Sequence, residues 1–264
     1  MHLNLPATPR HTHRASETET RTDLVILSEP FSSLLPASLL KPLFAKYTVH
    51  LPPFQPPPAG EDEPMQESVF QLQKFLETKQ ITKPVLVGCS LGTKLAINYA
   101  LKHPVDVASL VLSASAYSQE KTILPGLTKV STYQQVRESL SQFFYNEKIL
   151  KRTFVEKIHR SLQKHTEERM GLTHHRNGKS ADFKNMPVKN LAMPVLLLWG
   201  LQDKITPPHI AHRLYEQMPK SRICLINECG HFPMVEQPVA FVAHLIEFIE
   251  HYAPLRYKST ASGL

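Results

Sequence analysis

The chain of 264 residues is poor in several things. It has no apolar run near the roughly 18 to 20 residues needed to cross a bilayer, so no membrane span is expected. Its three cysteines, Cys89, Cys224 and Cys229, show no CxxC spacing, which gives neither a disulfide framework nor a zinc site. Cys89, at the end of an apolar run, reads as a small buried hydrophobe rather than a reactive thiol. There are only 9 glycines, below the average share, so where they cluster is informative. The first residues lack the apolar stretch of a secretory signal, and Glu17, Glu19 and Asp23 argue against a transit peptide. Residues 1–22 are read as a polar tail, and a cytoplasmic protein is expected.

What is present fits one large domain, or one core with an inserted subdomain. The 42% hydrophobic content is enough to build a core. The net charge of +7 is uneven: residues 148–184 hold ten Lys or Arg against four acids, a surplus of six. No homeodomain, zinc-finger or RNA-binding signature accompanies that stretch, so nucleic acid is not an expected partner. The charge is read as a solvated helical face, with attraction of an anionic substrate or carrier as the sharper alternative.

From Asp23 onward, short apolar runs alternate with amphipathic stretches, as in a parallel sheet covered by helices. Strands are expected at Leu24–Leu27, Tyr47–Leu51, Pro84–Val87, Val107–Leu112, Val195–Trp199 and Arg222–Ile226. Several are apolar throughout, which suits burial on both faces. Helices are expected at Ser33–Lys46, Met65–Thr78, Leu91–Lys102, Pro208–Met218 and Pro238–His251. The alternation stops over residues 117–188. There, Ser131 and Gln134 fit a capping box for a helix carrying Val136, Leu140, Phe143 and Phe144, followed by a stripe of Leu150, Phe154, Ile158 and Leu162. The expected organisation is therefore a tail (1–22), a core in two parts (23–116 and 189–254), a helical cap (117–188) and a C-terminal tail (255–264). Residues 52–64 read as a proline-rich loop.

The segment Gly88-Cys89-Ser90-Leu91-Gly92 is a GxSxG motif. By chance it should arise about 0.1 times in this length, so its context must carry the weight. An apolar strand ends at Gly88 and an amphipathic helix begins at Leu91, the arrangement of a nucleophile elbow. Ser90 then sits at a helix N-terminus, where developing negative charge is favoured. A serine needs a base. Among 14 histidines, His231 follows a strand and a turn glycine and precedes a helix. Asp203, just after another apolar strand, is the acid that would hold the imidazole's tautomer. All three lie at C-terminal strand ends, where open α/β sheets place their sites. Four of the 9 glycines, Gly88, Gly92, Gly200 and Gly230, fall in these three motifs.

On those residues the chain resembles the α/β-hydrolase fold superfamily, and more narrowly the branch of meta-cleavage-product hydrolases and related carboxylesterases. The resemblance runs from about Asp23 to His251 and rests on Val85–Gly92, Phe143–Asn146 with the following helix, Leu196–Pro208 and Cys229–Pro238. It implies a mostly parallel central sheet flanked by helices with an inserted cap. It puts nucleophile, acid and base on Ser90, Asp203 and His231, and oxyanion donors on the backbone N–H groups of Leu91 and Phe31. The sequence departs from the family in several places. Glu29-Pro30 replaces a His-Gly pair, the proline-rich loop replaces an Asp-x-x-Gly-x-Gly loop, and Thr93 replaces an elbow glycine. Cys89 and Phe232 stand where meta-cleavage hydrolases often carry asparagine and tryptophan.

The resulting expectation is a serine hydrolase of a small carboxylic ester or thioester, without metal or organic cofactor. Carbon–carbon bond hydrolysis of a ring-fission product is the first alternative. A binding module that kept the fold but lost efficient catalysis is the second.

Overall fold

The computed structural model describes residues 19–28, 35–53, 62–115, 132–164, 187–252 and 256–257. In chain order the elements are β1 (Glu19–Thr20), β2 (Asp23–Leu27), α1 (Ala37–Lys46), β3 (Thr48–His50), α2 (Asp62–Thr78), β4 (Val85–Cys89) and α3 (Leu91–Lys102). There follow β5 (Ser109–Ser113), α4 (Tyr133–Ser141), α5 (Arg152–Lys164), β6 (Val195–Gly200), α6 (Pro208–Gln217) and β7 (Ser221–Ile226). The last are α7 (Pro233–Glu236), α8 (Pro238–Tyr252) and β8 (Arg256–Tyr257).

Strands β2 to β7 form one sheet in the order β3-β2-β4-β5-β6-β7, and every pairing in it is parallel. Side chains alternate along each strand and so feed two separate cores. Val85, Val87 and Cys89 of β4, with Leu196 and Leu198 of β6, pack with Leu39 and Leu43 of α1 and Phe241, Leu245 and Phe248 of α8. Leu86 of β4, with Leu197 and Trp199 of β6, packs on the opposite side with Val69 and Leu72 of α2, Leu95 of α3 and Leu214 of α6. Because β4, β5 and β6 are buried along their whole length, their apolar runs need no polar alternation. Truncating a leucine such as Leu86 or Leu197 to alanine should cost about 2–5 kcal/mol.

The sheet also fixes where a site can form. After β2 the chain moves outward to β3 and then returns to β4 on the other side, so β2 and β4 flank a switch point. Open α/β sheets bind ligands at the carboxyl ends of the strands at such a point. Leu27 pairs with Gly88 there, and Ser90 stands two residues further on, just past the end of β4.

A third apolar cluster joins Val136 and Leu140 of α4, Val155 and Ile158 of α5, and Phe143, Phe144 and Leu150 between them to Ile205 and Phe232 of the strand-end loops. Several details differ from the expectation, and one is that helix α2 begins at Asp62, inside the stretch read as a proline-rich loop. The capping box is made one residue later, by Thr132 and Gln135, whose side chain accepts from the Thr132 N–H at 2.7 Å; Ser131 lies outside the described residues. Helix α4 ends at Ser141, so Phe143 and Phe144 stand on the turn after it. The two tails pair with each other: β1 runs antiparallel to β8 through Glu19–Tyr257 and Thr20–Arg256, in a two-stranded sheet apart from the six-stranded one. Of the 117–188 stretch, residues 117–131 and 165–186 and the side chain of Leu162 lie outside the described residues.

Candidate active site

Ser90 holds φ 49° and ψ −116°, a conformation that non-glycine residues rarely adopt and that costs of order 1–3 kcal/mol. Its neighbours hold it there. The Ser90 N–H donates to the Ser113 carbonyl of β5 at 2.9 Å, fixing the elbow to the next strand. The Ser90 carbonyl accepts from the Thr93 N–H at 3.1 Å and from the Thr93 hydroxyl at 2.6 Å. The Thr93 oxygen also shares a hydrogen bond with the Ser115 hydroxyl at 2.9 Å. Thr93 thus supplies a side-chain clamp on the elbow. Gly92 is required for a different reason: a Cβ there would lie 1.9 Å from the Leu27 carbonyl oxygen. Only glycine lets α3 approach β2 that closely.

His231 and Asp203 are brought together by β6 and β7. His231 Nε2 lies 3.1 Å from Ser90 Oγ. On the other edge of the ring, Nδ1 lies 3.0 Å from Asp203 Oδ2 and 3.2 Å from Oδ1. Both partners are buried, Asp203 at 3% and His231 at 2% exposure, so their hydrogen bonds have little competition from water. Asp203 accepts further hydrogen bonds from the N–H groups of Ile205 (2.8 Å) and Thr206 (2.9 Å) and from the Thr206 hydroxyl (2.7 Å). Burial pushes its carboxyl pKa up, but the neighbouring His231 and the Thr206 donors outweigh that and hold it below the ordinary range. An ionised Asp203 favours a proton on Nδ1 and leaves the Nε2 lone pair facing the serine. The single tryptophan supports the same loop: the Trp199 indole N–H donates to the Thr206 carbonyl at 2.7 Å.

Contacts outside the Ser–His–Asp array were not legible beforehand. Phe143, from the turn after α4, accepts the His231 N–H on its carbonyl at 2.7 Å and sets its ring edge-on to the imidazole at 5.4 Å. Phe232 stacks on Phe143 at 5.5 Å and also meets the imidazole edge-on. Cys229 is tied to the acid loop twice, accepting from the Gln202 N–H (2.9 Å) and donating its own N–H to Gln202 Oε1 (3.0 Å). The Glu236 carboxylate accepts from Gly230, Phe232 and Tyr145. In the sequence, Glu236 reads only as an acid near a helix start.

Leu91 is the first residue of α3. Its N–H is among those a helix leaves without an intrahelical partner, and it adjoins Ser90. Phe31, Glu29 and Pro30 lie outside the described residues. Cys89 is buried next to Ser90 in the chain, and burial pushes its thiol pKa up, which suits a packing role. Among the described residues no group of three or more His, Cys, Asp or Glu is placed to hold a metal ion, and no helix is long and apolar enough to cross a membrane.

Known proteins resemble this chain in sequence and in fold. Residues 64–238 match the family described as "Serine aminopeptidase, S33". The chain is 25% identical over 245 residues to the uncharacterized hydrolase YugF of Bacillus subtilis, covering 85% of this chain and 87% of that one. It is 25% identical over 197 residues to the 2-hydroxy-6-oxononadienedioate/2-hydroxy-6-oxononatrienedioate hydrolase of Burkholderia vietnamiensis, covering 67% of this chain and 66% of the relative. Among solved structures, the meta-cleavage product hydrolase CumD of Pseudomonas fluorescens IP01 superposes with a TM-score of 0.73 at 18% identity, covering 89% of this chain and 93% of that one. The esterase RhEst1 of Rhodococcus sp. ECU1013 gives 0.70 at 21% identity, covering 88% and 92%. A serine elbow at the switch point of a parallel sheet, a family match over most of the chain and hydrolase relatives together place this chain in the Serine aminopeptidase, S33 family, with the α/β-hydrolase fold.

Proposed function

We propose that the protein is a serine hydrolase that cleaves a small carboxylic ester or thioester through an acyl-enzyme on Ser90. The observation that carries this reading is the continuous chain from Ser90 Oγ through His231 to the buried Asp203, with contacts of 3.1 and 3.0 Å. Ser90 Oγ attacks the carbonyl carbon while His231 Nε2 takes its proton. Asp203 stabilises the imidazolium and keeps Nδ1 as its donor. The Leu91 N–H, with that of Phe31, receives the oxyanion. Collapse expels the alcohol or thiol, which takes the proton back from His231. Water, deprotonated by the same imidazole, then attacks the acyl carbonyl and releases the acid and Ser90. Each step balances with water as the only co-reactant.

Helices α4 and α5 rest on Phe232 and Ile205 of the strand-end loops, which supports reading residues 117–188 as a cap over this site. Lys148 and Lys151 stand exposed there, whereas Arg152 and Arg160 face Glu156. That surplus supports an anionic or carrier-bound substrate. Reversing the charge of these lysines should weaken the salt dependence of kcat/KM for anionic esters, and an unchanged dependence would remove the anionic part of the proposal.

The test of the main reading is kcat/KM across an ester and thioester panel varied in chain length and charge, for wild type and Ser90→Ala. Turnover abolished in the variant is expected; no turnover by wild type on any member would refute the reading. Carbon–carbon hydrolysis is the second reading, favoured by the sequence match to the Burkholderia enzyme. A ring-fission product turned over much faster than every ester would establish it instead.

A further inference from the structure

The base sits in an irregular loop, and irregular backbone must find partners for its N–H groups outside regular structure. In residues 229–232 all four N–H groups are taken, none of them by a neighbour in sequence. Cys229 donates to Gln202 Oε1 (3.0 Å), Gly230 to Glu236 Oε1 (2.8 Å), His231 to the Phe143 carbonyl (2.7 Å) and Phe232 to Glu236 Oε1 (3.4 Å). The residues on both sides of the base therefore converge on one oxygen of Glu236. Its other oxygen, Oε2, accepts from the Tyr145 N–H at 2.7 Å. Tyr145 is two residues beyond Phe143, which itself holds His231 by backbone and ring. Only an ionised carboxylate offers enough acceptor sites for three N–H donors from two directions without presenting a donor of its own.

We propose that Glu236 is a positioning residue for His231, its carboxylate bolting the base loop to the turn after α4 so that Nε2 stays on Ser90 Oγ. It touches neither the serine nor the acid by hydrogen bond, so its influence on turnover passes through the histidine. The same bolt joins the turn that leads from α4 toward α5 to the base loop, which makes the two move as one body. This rests on the hydrolase reading, and the experiment separates the two.

Wild type, Glu236→Gln and Glu236→Ala are compared by ester kinetics and by the low-field proton resonance of the His231 Nδ1–H, assigned by its loss in His231→Asn. Glu236→Ala is expected to lower kcat by about 100-fold, as a misplaced catalytic group does, with KM changed by less than about twofold. Its Nδ1 resonance should broaden or vanish. Glu236→Gln should fall between, because the isosteric amide satisfies one side of the bolt while its NH2 opposes the N–H on the other. A folded Glu236→Ala protein with wild-type kcat and an unchanged resonance would overturn the proposal. So would a fall in kcat with the resonance intact, which would mark a role elsewhere. If wild type hydrolyses no ester, the hydrolase reading fails, while the resonance still decides what Glu236 does.

Discussion

The two halves of the site are held in place by different physics. The elbow is built by steric closeness: Ser90 occupies a strained conformation because α3 is pressed against β2, with Gly92 where a Cβ would meet the Leu27 oxygen at 1.9 Å. The acid–base half is built by hydrogen bonds to two partly or fully buried carboxylates, Asp203 and Glu236, which accept six backbone or hydroxyl donors between them besides the histidine. The first half should respond to side-chain volume, the second to acceptor chemistry at constant volume. Those carboxylates are also tuned in opposite directions. Burial opposes charge at both, yet the facing imidazole pulls Asp203 down, whereas Glu236, served only by backbone donors, remains above its ordinary value.

The largest effect expected from breaking the elbow is loss of the fold. Gly92→Ala should give little folded protein by circular dichroism, since backbone atoms stand in the way on the Leu27 side; a stable, active Gly92→Ala protein would refute the steric account. Asp203→Asn, at nearly constant volume, should leave the fold intact while lowering kcat by about 10⁴-fold, because an amide favours the wrong imidazole tautomer. A kcat within tenfold of wild type would show that Asp203 does not orient the base.

Thr93→Val tests whether the elbow has a hydrogen-bonded component as well. Losing the hydroxyl that donates to the Ser90 carbonyl should destabilise the protein by about 1–3 kcal/mol in urea titration. An unchanged midpoint would show that the Thr93 hydroxyl adds nothing to the hold on the elbow.

The smallest effect concerns pH. The Asp203 pKa lies below its ordinary 3.8 in the folded state, so the stability it contributes is complete above that value and is lost as pH falls through the lowered one. Comparing wild type with Asp203→Asn in urea titrations from pH 5 downward, the variant should lack that part of the acid-side loss. Parallel curves would contradict the assigned direction.

The sheet and the three strand-end positions were legible in the sequence because each rests on a local signal. Strands β4 and β6 are apolar runs bounded by turns, and Ser90, Asp203 and His231 follow β4, β6 and β7 in turn. The elements that hold the base were not legible, for a physical reason. Glu236 meets Tyr145 across 91 positions and Phe143 meets His231 across 88, and neither contact leaves a periodic trace. The capping box was placed one residue early because Ser131 and Thr132 are each followed three residues later by a glutamine, and local chemistry alone does not separate the two. Thr93 shows the converse. It departs from the glycine that the resemblance implies there, and its hydroxyl gives the elbow a contact that glycine has no atoms to make.

The most direct test of Ser90 as the activated nucleophile is reaction with a fluorophosphonate, followed by mass spectrometry of the digested protein. One adduct per chain is expected, on the peptide carrying Ser90, strongly slowed in His231→Ala and absent in Ser90→Ala. A wild-type protein that stays unlabelled where a known serine hydrolase reacts, or an adduct that persists in Ser90→Ala, would contradict it.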